Sequence, residues 1–146
     1  SLYRSQHELV FAFRNGTAPH RNNVELGRFG RNRTNVWSYP GVNTFRPGRM
    51  EELRAHPTAK PIAMIEDALL DVSKRGDIVL DSFLGAGATL IAAEKSGRIA
   101  RGIEIDPLYV DTVIRRWRKL TGEDARRESD GKSFTDVEAE CAETLE

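Results

Sequence analysis

Gly85 and Gly87, in the stretch Asp81-Ser82-Phe83-Leu84-Gly85-Ala86-Gly87-Ala88-Thr89, and the carboxylate of Glu104 are the residues whose types and spacing offer chemistry. A glycine has no Cβ, so a turn built on two of them can pass close to a ligand. An acid at the end of the next strand can accept from both hydroxyls of a ribose. Glu104 follows Gly87 by 17 positions, near the spacing of roughly 20 residues found in dinucleotide sites, and the pair points to a cofactor that contains adenosine. Gly-x-Gly alone is also what a purely structural tight turn needs. Position 90, where the dinucleotide fingerprint has its third glycine, is Leu90, so a pyrophosphate has less reason to sit here.

Three other stretches carry candidate chemistry. His56-Pro57-Thr58-Ala59-Lys60-Pro61 precedes a helical pattern; Thr58 can cap that helix and Lys60 can offer an ammonium to a carboxylate, although the same residues also make an ordinary helix start. The segment from Arg28 to Trp37 mixes the cations Arg28, Arg31 and Arg33 with Asn35 and Trp37. That mixture suits phosphate contacts and base-edge readout as well as it suits a solvated loop. Asp106-Pro107-Leu108-Tyr109 invites a catalytic reading, but Pro107 fits the first position of a helix.

These residues need elements to hold them. Lys60 to Lys74 has Ile62, Ile65, Leu69 and Val72 at helical spacing, with Gly76 just past the end, and predicts a core-facing helix. Residues 77–81 predict a short buried strand, and the glycine turn leads into a second helix ending near Ser96. Residues 99–105 predict another strand, ending at Glu104 and Asp106. Pro107 starts a third helix with Val110, Val113, Ile114 and Trp117 on one face. The order β-α-β-α is half of a doubly wound α/β sheet, whose ligands bind outside the C-terminal strand ends. Upstream, His7 to Arg14 predicts a buried strand ending at the turn Asn15-Gly16, and residues 17–55 predict a long irregular segment. The division expected is therefore 1–55, 56–122, and an acidic mobile tail or weak terminal helix over 123–146.

A chain of 146 residues is the size of one domain. Lys plus Arg and Asp plus Glu balance at 22 each, but the balance hides a gradient. From Arg21 to Arg49 the cations Arg21, Arg28, Arg31, Arg33, Arg46 and Arg49 face the lone acid Glu25, whereas 133–146 carries acids only. One end suits phosphate and the other does not. The lone cysteine, Cys141, excludes an internal disulfide and a cysteine-based zinc site, so no metal is expected. No apolar run approaches the roughly 20 residues of a bilayer span, and no signal segment opens the chain, so a cytoplasmic protein is expected. The first residue is Ser1, in a strand-like stretch, which leads to the expectation of a piece of something longer.

At this point the motifs resemble the DNA amino-methyltransferases with permuted motif order, in which cofactor motifs follow the catalytic and target-recognition parts. The resemblance runs from about Leu2 to Thr121. It rests on His56 to Pro61, on Asp81 to Thr89 as an Asp-Pro-Phe-x-Gly-x-Gly-Thr loop, and on Gly102-Ile103-Glu104-Ile105-Asp106 as the acidic strand end. Leu2 to Glu8 and Asn35-Val36-Trp37 resemble the stretch upstream of the cofactor half, and some relatives carry this unit behind a ParB-like domain. The resemblance implies a partial Rossmann-like fold of the class I methyltransferase type, incomplete for want of an N-terminal part. It implies S-adenosylmethionine as cofactor, held by Thr58, Lys60 and Pro61 at its methionine end, by Asp81, Phe83, Gly85, Gly87 and Thr89 in the loop, and by Glu104 and Asp106 at the nucleoside. It implies double-stranded DNA as partner, in a bacterial or phage protein at the nucleoid, and methylation of adenine N6 or cytosine N4. Ser82 stands where the family has Pro, and Ala88 where Thr or Ser is frequent. No Asp-Pro-Pro-Tyr-type catalytic motif occurs in residues 1–146. The rival expectations are a nicotinamide-dependent oxidoreductase, and a noncatalytic DNA-binding or partition module on the same fold.

Overall fold

The computed structural model describes residue 2 and residues 7–28, 32–39 and 60–144. Helix α1 spans Ile62–Val72, strand β1 Ile78–Asp81, helix α2 Ala88–Ser96, strand β2 Ile99–Gly102, helix α3 Pro107–Thr121 and helix α4 Phe134–Glu143. The strands pair in parallel, Ile78 opposite Ile99 through Asp81 opposite Gly102, and α2 is the crossover between them. This is the β-α-β-α order expected, an α/β architecture that makes a partial Rossmann-like fold.

Each helix boundary has a local cause. Pro61, at the N-cap of α1 with φ −60°, has no N–H to leave unpaired. Gly97 closes α2 in the left-handed region at φ 71°, which glycine enters without the Cβ penalty. Asp106 caps α3 by accepting from the backbone N–H of Leu108 at 2.9 Å, with Pro107 in the first turn. Asp106-Pro107 is thus a helix start.

Helix α2 lies at the centre, packed on β2 and between α1 and α3. Its Ala92 and Ala93 are fully buried beside Ile91, and side chains this small let neighbouring elements approach closely. Val113 of α3 and Ala86 of the loop complete the core. The buried guanidinium of Arg98 is satisfied by neutral oxygens. Its Nε donates to Ser73 Oγ at 3.0 Å, Nη2 to the Ser73 carbonyl at 2.7 Å and Nη1 to the Ser96 carbonyl at 2.6 Å. These bonds tie the end of α1 to the end of α2, and they meet the need of a buried polar group for partners.

Two expectations change and a third is narrowed. Residues 7–14 form no strand and are exposed; a strand needs a partner edge, and β1 and β2 pair with each other. Strand β2 ends at Gly102, so Glu104 lies two residues beyond it, although Ile103 continues the parallel bonding through its N–H to the Asp81 carbonyl at 2.9 Å. Of the two expectations for residues 123–146, a mobile tail or a weak terminal helix, the described residues to 144 take the helix. Ser133 opens α4 with a capping box closed by Asp136, and Phe134 lies under the guanidinium groups of Arg115 and Arg118 at 5.3 and 5.4 Å. Arg115 and Arg118 also pair with Glu138.

Candidate cofactor site

The loop between β1 and α2 is braced at both ends before any ligand is considered. Asp81 Oδ1 accepts from the Phe83 N–H at 3.0 Å, making a tight turn at the strand end. Leu84 donates its N–H to the Ile103 carbonyl at 3.0 Å, and its side chain occupies the space that a Cβ on Gly102 would need. The Arg116 guanidinium of α3 donates to the Ala86 carbonyl.

Glu104 points into this loop. Its Oε2 accepts from the Gly85 N–H at 2.7 Å, and its Oε1 accepts from the N–H groups of Ile105 and Asp106 at 2.9 and 3.0 Å. The Asp106 N–H first, then that of Gly85, hold the carboxyl below its ordinary pKa, because hydrogen bonds to the charged form favour it. A carboxylate has about four acceptor positions, and three are taken here. Capacity for a ribose hydroxyl remains on the Gly85 side without breaking a bond. A second hydroxyl would compete with a backbone amide.

The two glycines do different work. Gly85 has φ 49°, and a Cβ added to it would meet only the Phe83 carbonyl within 4 Å, at 3.9 Å, so its bare side faces open space. Gly87, at φ 77°, is buried, and a Cβ there would fall 2.7 Å from Val113 Cγ2. Its bareness serves the approach of α3, where the sequence suggested approach of a ligand. Phe83 in the glycine loop and Ile105 directly after Glu104 are 92% and 97% exposed, and they give the strand ends an apolar surface. Ile105 was not singled out from the sequence, although its place directly after the acid was the available signal. Glu104 also lines a cavity of about 380 Å³, with Leu84, Leu90, Ile103, Val110 and Ile114 among its other walls. An open glycine, a carboxylate with spare acceptor capacity and two exposed apolar side chains fit a nucleoside.

The remaining candidates are placed less centrally. Thr89 lies in the first turn of α2, and Asp106 Oδ1 is engaged in capping α3. Lys60 pairs with Glu8, both well exposed, and Pro61 heads α1. Thr58 and Arg31, with the rest of His56 to Ala59, lie outside the described residues. Arg28 is exposed and pairs with Glu25 at 3.1 Å, while Arg33 lies against Asp67 and Asp71 of α1 and over Trp37. Asn35 is exposed. Among the described residues no cluster of three or more His, Cys, Asp or Glu could hold a metal ion, and no helix is long and apolar enough to cross a membrane.

Against known proteins, the family model described as DNA methylase, of the N6/N4 type, matches residues 3–115. The chain belongs to this family. Type II methyltransferase M.ScaI of Streptomyces caespitosus is 39% identical over 93 residues, 64% of this chain and 31% of the relative. DNA adenine methyltransferase YhdJ of Escherichia coli strain K12 is 43% identical over 82 residues, 56% of this chain and 26% of the relative. Among solved structures, the M1.HpyAVI–SAM complex matches with 31% identity and a TM-score of 0.45, covering 59% of this chain and 42% of that one. The chain thus spans about a third or less of the curated relatives it matches. The N6/N4 methylase family is enzymatic, and membership removes the nicotinamide oxidoreductase alternative.

Proposed function

We propose that this chain is the methyl-donor half of a DNA amino-methyltransferase acting on adenine N6 or cytosine N4. The observation that carries this reading is the Glu104 carboxylate turned onto the Gly85 amide with acceptor capacity to spare. S-adenosylmethionine, when bound, supplies an electrophilic methyl group. Glu104 would accept from its ribose, Phe83 and Ile105 would lie along its adenine, and Gly85 would let it approach the loop. Thr58 and Lys60 would hold the methionine end. The Lys60–Glu8 pair is an exposed one that holds Lys60 weakly, so a carboxylate can displace it. Asp81, Thr89 and Asp106 shape the loop and helix starts from which the pocket is built, and Pro61 and Gly87 set the helices behind it.

A target base inside a duplex cannot reach such a pocket, so the nucleotide must be flipped out. This chain's contribution is to fix the donor for in-line attack by the amine, which is alignment more than acid–base chemistry. Arg28, Arg31 and Asn35 would face the double-stranded DNA. An Asp-Pro-Pro-Tyr-type motif would come from an upstream part of the same protein, and residues 1–146 alone would not methylate. Such an enzyme works where its DNA is, in the bacterial cytoplasm or on phage DNA.

The test is calorimetric titration of the chain with S-adenosylmethionine, repeated on Glu104→Ala. Binding by the unsubstituted chain that the substitution abolishes is the expected result. A folded chain that binds neither S-adenosylmethionine nor S-adenosylhomocysteine would defeat the reading.

A further inference from the structure

Residues 22–28 and 32–39 lie against α1, and polar ties hold them there. Asn22 Oδ1 accepts from the N–H groups of Val24 and Glu25 at 3.1 and 3.2 Å, closing a turn in which Glu25 takes the left-handed φ of 43°, a conformation seldom adopted by residues other than glycine and asparagine. Asn23 grips the end of α1: its Nδ2 donates to the Leu70 and Ser73 carbonyls at 2.8 and 2.7 Å, and its N–H to the Asp71 carbonyl at 2.8 Å. Ten positions on, Arg33 reaches the same helix. Its Nη1 donates to Asp71 Oδ1 at 3.2 Å, its Nε lies 3.1 Å from Asp71 Oδ2 as an ion-pair contact, and Nη2 lies 3.5 Å from Asp67. The guanidinium also stacks on Trp37 at 4.8 Å, and Tyr39 donates to Asp67. A cavity of about 560 Å³ is lined by Asn23, Val24, Asn32 and Arg33 together with Leu70 and Asp71 of α1.

We infer that Arg33 is a positioning residue: locked to Asp67 and Asp71 and stacked on Trp37, it pins the Arg28-containing loop to α1 for DNA contact and itself touches no phosphate. This rests on the DNA-methyltransferase reading. Helix α1 packs on α2, whose N-terminus is the glycine loop, so the lock fixes the distance between the DNA-facing cations and the methyl donor.

The experiment is a charge-swap cycle on the full chain, Arg33→Asp, Asp71→Arg and both together, with a fluorescent duplex oligonucleotide titrated at several salt concentrations. Each single change should weaken duplex binding about tenfold, an ordinary coupling for contacting residues. The double change, which keeps the net charge, should restore it with an unchanged slope of log affinity on log salt. A swap that stays weak and loses about 0.9 from that slope would make Arg33 a phosphate contact and overturn the proposal. If a single variant fails to fold, Tyr39→Phe removes one tie and should weaken binding without altering the slope; unaltered binding would count against the lock. An unsubstituted chain that binds no duplex defeats the DNA reading. The lock itself is then overturned if thermal unfolding shows no coupling between positions 33 and 71, and upheld if it shows one.

Discussion

At the scale of one residue, Glu104 joins two pieces of chain that meet only in the folded state, the loop at Gly85 and the turn at Ile105 and Asp106. Its carboxyl is held below the ordinary range by the Asp106 and Gly85 amides, so folding favours the ionised form. The contribution is therefore complete above the unfolded pKa and is lost as pH falls through the depressed folded value. Affinity for S-adenosylhomocysteine, measured by calorimetry across pH, should stay level from neutrality into the ordinary carboxylate range as far as this group is concerned, and fall below it. Glu104→Gln should weaken binding about tenfold or more at every pH and remove that acid limb, because an amide NH2 must then face a backbone N–H. An acid limb that persists in the Gln variant would assign it to another group.

At the scale of elements, the loop depends on α3 as much as on its own glycines. Gly87→Ala would place a methyl 2.7 Å from Val113 Cγ2 at a φ of 77°. The left-handed conformation costs about 1–2 kcal/mol for a residue with a Cβ, and overpacking a core about 1–3 kcal/mol. Urea unfolding should show a loss of about 2–5 kcal/mol, and measured on a Val113→Ala background the same Gly87→Ala change should lose most of the steric part and keep the backbone part. This contact also marks the limit of what could be read from sequence. Helices α1, α2 and α3 were legible because helical periodicity and local caps sit within a few residues, and the pairing of glycine loop with acid was legible from spacing. The reason for Gly87 lies 26 positions away at Val113, and Arg33 finds Asp71 across 38 positions; no periodicity carries such contacts. Residues 7–14 look like a strand by composition, but strand formation is decided by a partner. Helix α4 stood only as an alternative because of its polar composition, and the signals in its favour were the capping box of Ser133 and Asp136 and the acids Asp124 and Glu138 that meet Arg118 and Arg115 of α3.

At the scale of the whole molecule, the sheet is covered on one side. Ile78 and Leu80 of β1 are 67% and 66% exposed, and Ile99, the cross-strand partner of Ile78, is also exposed, while Val79 and Ala100 turn toward the helices half-buried. Parallel strands ordinarily bury both faces, so a row of exposed Ile and Leu is a face built to be covered. The relatives this chain matches extend well beyond the matched part, and we propose that the further part of such a polypeptide lies over β1 and β2. The same substitution then has two different costs. In residues 1–146 alone, Leu80→Ala should change stability to urea by less than about 0.5 kcal/mol, as expected for a surface site. In the longer polypeptide, where the side chain would be buried, it should cost about 2–5 kcal/mol. The fluorescent dye that reports exposed apolar surface should bind the short chain and lose most of its signal with the long one. Equal costs in both contexts, with the dye still bound, would mean that this face stays open in a polypeptide of the relatives' length and would overturn the proposal.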